Sequence, residues 1–199
     1  MCKFERAITR TPCDAFANGL TPGPLGKPNV TLAKEQHKGY LTALKECGVE
    51  ITLLPPAEKY PDSCFVEDPA IVNNKLAIFT SPFDPSRQGE QLLIHDAVVS
   101  IYGRHIEAIQ RPGTLEGGDI CQVGNHYFIG LSRRTNDEGG RQLAEILAKH
   151  GFTSSFINIR KSETILHLKT GMSYLGNNTM IVMPDFKDLP ELSAFRKIV

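Results

Sequence analysis

The sequence predicts an α/β fold built on a repeat of roughly 50 residues, and three observations lead there. The window "EDPAIVNNKLAIFTS" (67–81) aligns without a gap on "GDICQVGNHYFIGLS" (118–132), placing Asp68 on Asp119, Asn74 on Asn125 and Ile78 on Ile129. Each window reads as a strand, a two-residue turn and a second strand, the pattern of a tight hairpin. A third pattern of this kind, "MSYLGNNTMIVM" (172–183), follows at a similar interval. The segments between hairpins read as a helix and then a short strand. Units of hairpin, helix and strand cannot hide their faces alone, and closing them into a ring removes their exposed edges.

Taken in order, "NVTLAKEQHKGYLTALKECG" is a helix and "VEITLLPP" a strand. After the first hairpin, "PSRQGEQLLIHDAVVS" is helical and "HIEAIQ" extended. After the second, "TNDEGGRQLAEILAKHG" has a polar start, Leu143, Ile146 and Leu147 at helical spacing and a closing glycine. "FTSSFINI" is the strand that follows it. The third hairpin leads to "ELSAFRKIV", whose apolar residues read as a helix end or the start of a strand. These units leave the ring open, so residues 1–199 are expected to form one domain whose last blade lies beyond Val199.

Composition narrows the function. The 199 residues are 41% hydrophobic, which suits a globular chain with a substantial core. Lys+Arg and Asp+Glu balance at 22 each, so no basic surplus supports nucleic-acid binding. No apolar run approaches the roughly 20 residues that span a bilayer. The start "MCKFERAITRTP" lacks the apolar centre of a signal peptide, which makes the cytoplasm the default compartment. Cys2, Cys13, Cys47, Cys64 and Cys121 form no CxxC pair, and the six histidines show no HxxxH spacing. Neither a disulfide framework nor a metal centre is expected, and pairing into a homodimer is left open.

The chemistry-bearing residues gather at the starts of the units. Asp62, Glu67 and Asp68 stand in "PDSCFVEDP", and Glu116 and Asp119 flank the two glycines of "EGGD". Carboxylates brought together repel one another unless a cation joins them. A guanidinium meets them in bidentate pairs through its planar fork of donors. The same acids also suit turn capping, as for Asp62 after its proline. Arg87 and Arg134 follow successive hairpins, placed either to clamp a carboxylate or as surface charge. His167, between apolar residues in "TILHLKTGMSYLG", is a buried core histidine or a general acid/base.

The segments "GLTPGPLGKP", "PPAEKYPDSCFVEDPA", "PGTLEGGDI", "RRTNDEGGRQ" and "LHLKTGMSYL" together resemble the dimethylarginine dimethylaminohydrolase family. This family is a branch of the guanidine-modifying, or amidinotransferase, superfamily that includes arginine deiminases. The resemblance runs over essentially the whole chain and implies a five-bladed pseudo-symmetric α/β propeller. It implies a small-molecule substrate, a methylated arginine, converted to citrulline and a methylamine without a cofactor. Asp68 would hold the guanidinium, with Glu67 assisting. Asp62 and the backbone of Leu20 would contact the amino-acid end, and Arg87 and Arg134 the carboxylate. His167 would be the general acid/base, oriented by Glu116, while Asp119 supports the turn.

The sequence departs from the family at the nucleophile. The family's cysteine stands near its C-terminus, beyond the part matched here, and is expected beyond Val199. Cys64, on the same strand face as Asp62, reads as a substitute or as a small core residue. Cys13, Cys47 and Cys121 read as packing residues. The alternatives are another guanidine-modifying activity such as arginine deimination, a non-catalytic binder of arginine derivatives, or an unfolded fragment with open strand edges.

Overall fold

The computed structural model describes residues 4–20 and 26–199, which divide into two compact units. One comprises the described residues as far as Val66, together with Pro85–Gly103. In it β1 (Arg6–Arg10) and β2 (Glu50–Leu54) pair in parallel. A parallel pair requires a crossover, supplied here by α1 (Val30–Glu46). Asn29 caps α1 by accepting the Leu32 N–H at 3.0 Å, and Gly48, with φ +78°, turns the chain out beyond Cys47. The second helix of this unit, α2 (Glu90–Tyr102), begins after Gly89, whose φ of +105° suits glycine.

The other unit comprises Glu67–Asp84 and Arg104–Val199, and carries the expected repeat. Its sheets are β3 (Ala70–Val72), β4 (Ala77–Phe79) and β5 (Ile106–Ala108); β6 (Ile120–Val123), β7 (His126–Leu131) and β8 (Thr153–Asn158); and β9 (Met172–Gly176), β10 (Thr179–Val182) and β11 (Arg196–Ile198). In each, two strands form an antiparallel hairpin and the third lies parallel to the second. One strand order therefore recurs three times.

The turns separate the hairpins. Gly124–Asn125 and Asn177–Asn178 are two-residue turns as expected, with φ of +59° at Gly124 and +47° and +55° at the two asparagines, a region Asn tolerates. The first hairpin has a longer loop. Asn73 Oδ1 accepts the N–H groups of Lys75 (2.8 Å) and Leu76 (3.1 Å), so its side chain replaces a backbone turn. The crossover in the third sheet also differs from the helix expected: short 3-10 turns at Pro184–Phe186 and Pro190–Leu192 take its place. Prolines at the first position of each turn start it but cannot extend a longer helix. The apolar end "FRKIV" forms β11, the strand alternative of the two.

The β6–β7–β8 sheet is buried on both faces, because alternate side chains enter different cores. Tyr127 and Ile129 join Ile71, Ile78, Leu115, Leu143 and Leu147 on one side. Phe128 joins Ile157, Leu168, Met172 and Met180 on the other. Helix α3 (Asp137–Lys149) closes the first core with Leu143, Ile146 and Leu147, the residues its sequence spacing picked out. Its cap is Asn136, whose Oδ1 accepts the Gly139 N–H at 2.8 Å and the Thr114 N–H at 3.0 Å, tying the helix start to the segment that leads to Glu116. No helix among the described residues is long and apolar enough to cross a membrane.

Gly139 lies against the backbone of Thr114, and a Cβ there would be driven into the Thr114 carbonyl. Gly139→Ala should therefore cost about 1–3 kcal/mol, as overpacking does, whereas Gly39→Ala, where a Cβ meets nothing within 4 Å, should not destabilise. Urea unfolding of the two variants checks this.

Candidate functional site

Three unit starts bring their side chains together. Asp68 lies just before β3, Glu116 and Asp119 just before β6, and His167 just before α4 (Leu168–Gly171), the short helix that leads into β9. The glycines of "EGGD" explain how they approach. Gly117 donates its N–H to the Asp68 carbonyl at 3.1 Å, and a Cβ on it would collide with the carbonyl of Glu67. Gly118 donates to Asp68 Oδ1 at 2.8 Å, and a Cβ there would stand 2.7 Å from the His167 ring. The backbone, freed of side chains, thus carries one carboxylate against the imidazole.

His167 is ringed by carboxylates. Its Nε2 lies 3.5 Å from Glu116 Oε2 and 3.9 Å from Asp68 Oδ1. Its Nδ1 lies 3.5 Å from Asp119 Oδ1. The side chains of Glu116 and Asp119 are 1% and 0% exposed, so these charges face the ring with little water between them. Burial on its own would push the imidazole pKa down; Asp119, Asp68 and Glu116 outweigh it and hold the group above its ordinary value of 6.5. One donor atom each from Asp68, Glu116 and His167 falls within 4.8 Å of the others, close enough to share one cation, metallic or organic.

Glu116 is held by its neighbours. Phe83 donates its N–H to Oε1 at 3.2 Å, and Glu116 donates its own N–H to Thr135 Oγ1 at 3.3 Å. Arg134 places Nη1 3.9 Å from Glu116 Oε1 and 3.5 Å from Asp84 Oδ2. Glu67 turns to the surface and pairs with Lys169. That pairing is invisible in sequence, since the partners stand about a hundred positions apart.

The remaining candidates belong to the first unit described. Asp62, 6% exposed, accepts the Leu20 N–H at 3.0 Å, so the expected pairing of this acid with the Leu20 loop is present. Residues 21–25 of that loop lie outside the described residues. Arg87 is buried, and its guanidinium donates to both oxygens of Glu90 and to the carbonyls of Asp62 and Phe65. It fastens the Asp62–Phe65 turn from behind. The signal was available in sequence, as Arg87 and Glu90 stand three residues apart at a helix start.

The cysteines divide by environment. Burial, then Asp62, pushes the Cys64 thiol up to about 12, and burial likewise raises Cys13 and Cys121. Cys47 is exposed at the end of α1, which corrects its reading as a packing residue. The helix had ended there and Gly48 turned the chain to solvent. Cys2 lies outside the described residues.

The comparisons with known proteins follow the same residues. The family model "arginine deiminase" matches residues 58–195. The chain is 46% identical over 195 residues to N(G),N(G)-dimethylarginine dimethylaminohydrolase of Pseudomonas aeruginosa, covering 98% of this chain and 76% of that protein. A solved structure of the Pseudomonas aeruginosa protein, a cysteine-to-serine mutant complexed with citrulline, superposes with a TM-score of 0.95 over 99% of this chain and 76% of its own, at 46% identity. A histidine-to-glycine dimethylarginine dimethylaminohydrolase bound as an adduct with S-methyl-L-thiocitrulline gives 0.94 at 46% identity, over 98% and 76%.

Two outcomes follow from these environments. A thiol reacts as thiolate, so alkylation near pH 8 should label Cys47 first and leave Cys13, Cys64 and Cys121 largely intact, as peptide mass mapping will show. The raised His167 pKa means that the folded chain prefers the imidazolium. Its stabilisation is fully present below about 6.5, the unfolded value, and is lost as pH rises through the folded pKa. The difference in unfolding free energy between the native chain and His167→Gln should shrink as pH rises from about 5 to about 9. A constant difference across that range would contradict the assignment.

Proposed function

The chain belongs to the dimethylarginine dimethylaminohydrolase family, within the group described by the arginine deiminase model, and from that premise we propose that it hydrolyses Nω-methylated arginines to citrulline and a methylamine. The observation that carries the reading is the arrangement of Asp68, Glu116 and His167, whose donor atoms lie within 4.8 Å of one another at the starts of successive repeats. The names and ligands of the relatives, dimethylarginine, citrulline and a thiocitrulline adduct, support the same substrate class.

In this reading Asp68 and Glu116 take the guanidinium through its N–H fork. Glu67, paired with Lys169 at the surface, assists in holding the substrate. Asp62 and the Leu20 backbone meet the amino-acid end; Arg134 takes the carboxylate, and Arg87 contributes through the turn it fastens. A cysteine thiolate forms a C–S bond to the guanidinium carbon, giving a tetrahedral adduct. His167 as imidazolium gives a proton to the substituted nitrogen, and the C–N bond breaks with release of the methylamine. The neutral ring then takes a proton from water, whose oxygen adds to the same carbon. The C–S bond breaks as the added hydroxyl loses its proton, taken up overall by the released amine as its ammonium, which returns the thiolate and leaves the ureido group of citrulline. The high pKa of Cys64 and the burial of Cys13 and Cys121 argue against these three thiols as the nucleophile. A five-bladed α/β propeller extends the reading to architecture, supported by the strand order shared by three sheets.

The test is citrulline release from asymmetric dimethylarginine by the purified protein, with arginine as the comparison and ligand binding followed by calorimetry. Dimethylarginine is expected to bind and turn over, and arginine to be a poor substrate. Equal turnover of arginine would make the protein a deiminase, and failure to bind either would sink the reading. In the active protein, His167→Ala should lower kcat roughly 10²- to 10⁴-fold with binding retained. Arg134→Ala should act mainly on KM.

A further inference from the structure

We propose that Asp119 is the positioning residue of this site: it fixes the tautomer of His167 and ties the catalytic histidine to Glu116 and Arg134 through two hydroxyl groups. The proposal goes deeper into the reaction proposed above and rests on that reading for its catalytic consequence. Its structural part stands on the site geometry alone.

Asp119 is fully buried, and both its oxygens are occupied. Oδ2 accepts the Ser132 and Thr135 hydroxyls, each at 2.6 Å. Oδ1 accepts the Leu168 N–H at 3.1 Å and faces His167 Nδ1 at 3.5 Å. The Leu168 bond anchors the residue next to His167, so the backbone carrying the imidazole is fixed by the same oxygen that faces its ring. Buried Nδ1 meets no hydrogen-bond geometry with any described residue, and Asp119 Oδ1 is the charged acceptor that faces it. A carboxylate can only accept, so the proton of the neutral imidazole belongs on Nδ1. Nε2, toward Glu116 and Asp68, is left as the atom that exchanges a proton with substrate and water.

The two hydroxyls extend the control. Ser132 Oγ, having given its proton to Asp119, accepts the N–H of Arg134 at 2.9 Å and that of Thr135 at 3.0 Å. Thr135 Oγ1, likewise committed to Asp119, accepts the N–H of Glu116 at 3.3 Å. Both hydroxyls are oriented by one charge, and each orients the backbone of a residue placed in the site. An apolar side chain of similar size at position 119 would leave Ser132, Thr135 and the Leu168 N–H unpaired in the core. The charged groups facing the imidazole are Asp119 at Nδ1, and Glu116 and Asp68 at Nε2.

The experiment is ¹⁵N NMR of histidine-labelled protein without substrate, comparing native chain, Asp119→Asn and Ser132→Ala. In the native chain the neutral imidazole of His167 should be almost wholly the Nδ1–H form. Asp119→Asn should lower the His167 pKa, as loss of an adjacent charge does, and admit the Nε2–H form. Ser132→Ala, which keeps the charge, should leave the Nδ1–H form in place and not reproduce the drop in pKa. Should Asp119→Asn fail to fold, the native tautomer decides. A native Nε2–H tautomer overturns the proposal, as does an Asp119→Asn pKa equal to the native one. These readouts need no turnover, so they separate this inference from the proposed reaction. With turnover established, Asp119→Asn should displace the kcat pH profile in the same direction with KM little changed.

Discussion

The buried carboxylate of Asp119 is the constraint on which the arrangement of the catalytic unit depends. An ion without exposure to water persists only if its lone pairs are satisfied inside the fold. Here two hydroxyls from the segment after β7 and one backbone N–H from the segment before β9 meet that demand. The segments following β7, preceding β6 and preceding β9 are thereby drawn to one point. Breaking any one of these bonds would leave a buried charge short of partners, which costs more than the bond contributes when made. The geometry around His167 is thus held by penalties for departure as much as by attraction.

Close approach is the second requirement, and glycine meets it. Gly117 and Gly118 let the Asp68 backbone and carboxylate come within hydrogen-bond distance, and Gly130 lies against the Leu168 side chain and the Asp119 carbonyl. These glycines have ordinary backbone angles, so what selects them is the space a Cβ would occupy. Glycines such as Gly124, with φ of +59°, answer to the opposite need, a left-handed turn in open surroundings. The same residue type serves two purposes, and only the neighbours tell them apart.

That distinction marks what could be read from the sequence. Hairpin alternation, the polar start of 135–151 and the apolar spacing of Leu143, Ile146 and Leu147 are local signals, and they gave the hairpins and α3. The internal alignment of Asp68 on Asp119 pointed to equivalent unit starts, which is where the site residues meet. The role of Asp119 was not legible, because its partners Ser132, Thr135 and Leu168 are brought to it by sheet pairing and crossover. Within "EGGD" both acids look alike, and the sequence alone favoured Glu116 as the orienting residue and Asp119 as support for the turn. The helix missing from the third crossover had its local sign in Pro184 and Pro190, outweighed by the periodicity of the other units.

The separation of the carboxylates also bears on how one histidine serves both halves of a reaction on a cationic substrate. Asp68 and Glu116 face Nε2, on the side where a guanidinium would be received. A cation bound there competes with the proton for the same charges, and would by itself lower the imidazole pKa just when an imidazolium must protonate the leaving amine. Asp119 lies behind the ring at Nδ1 and is not shared with the substrate. In the proposed reaction its charge would continue to favour the imidazolium after a guanidinium had claimed the other two. Placing one carboxylate behind the ring and two in front would let the site, in the proposed reaction, bind a cation without discharging its acid.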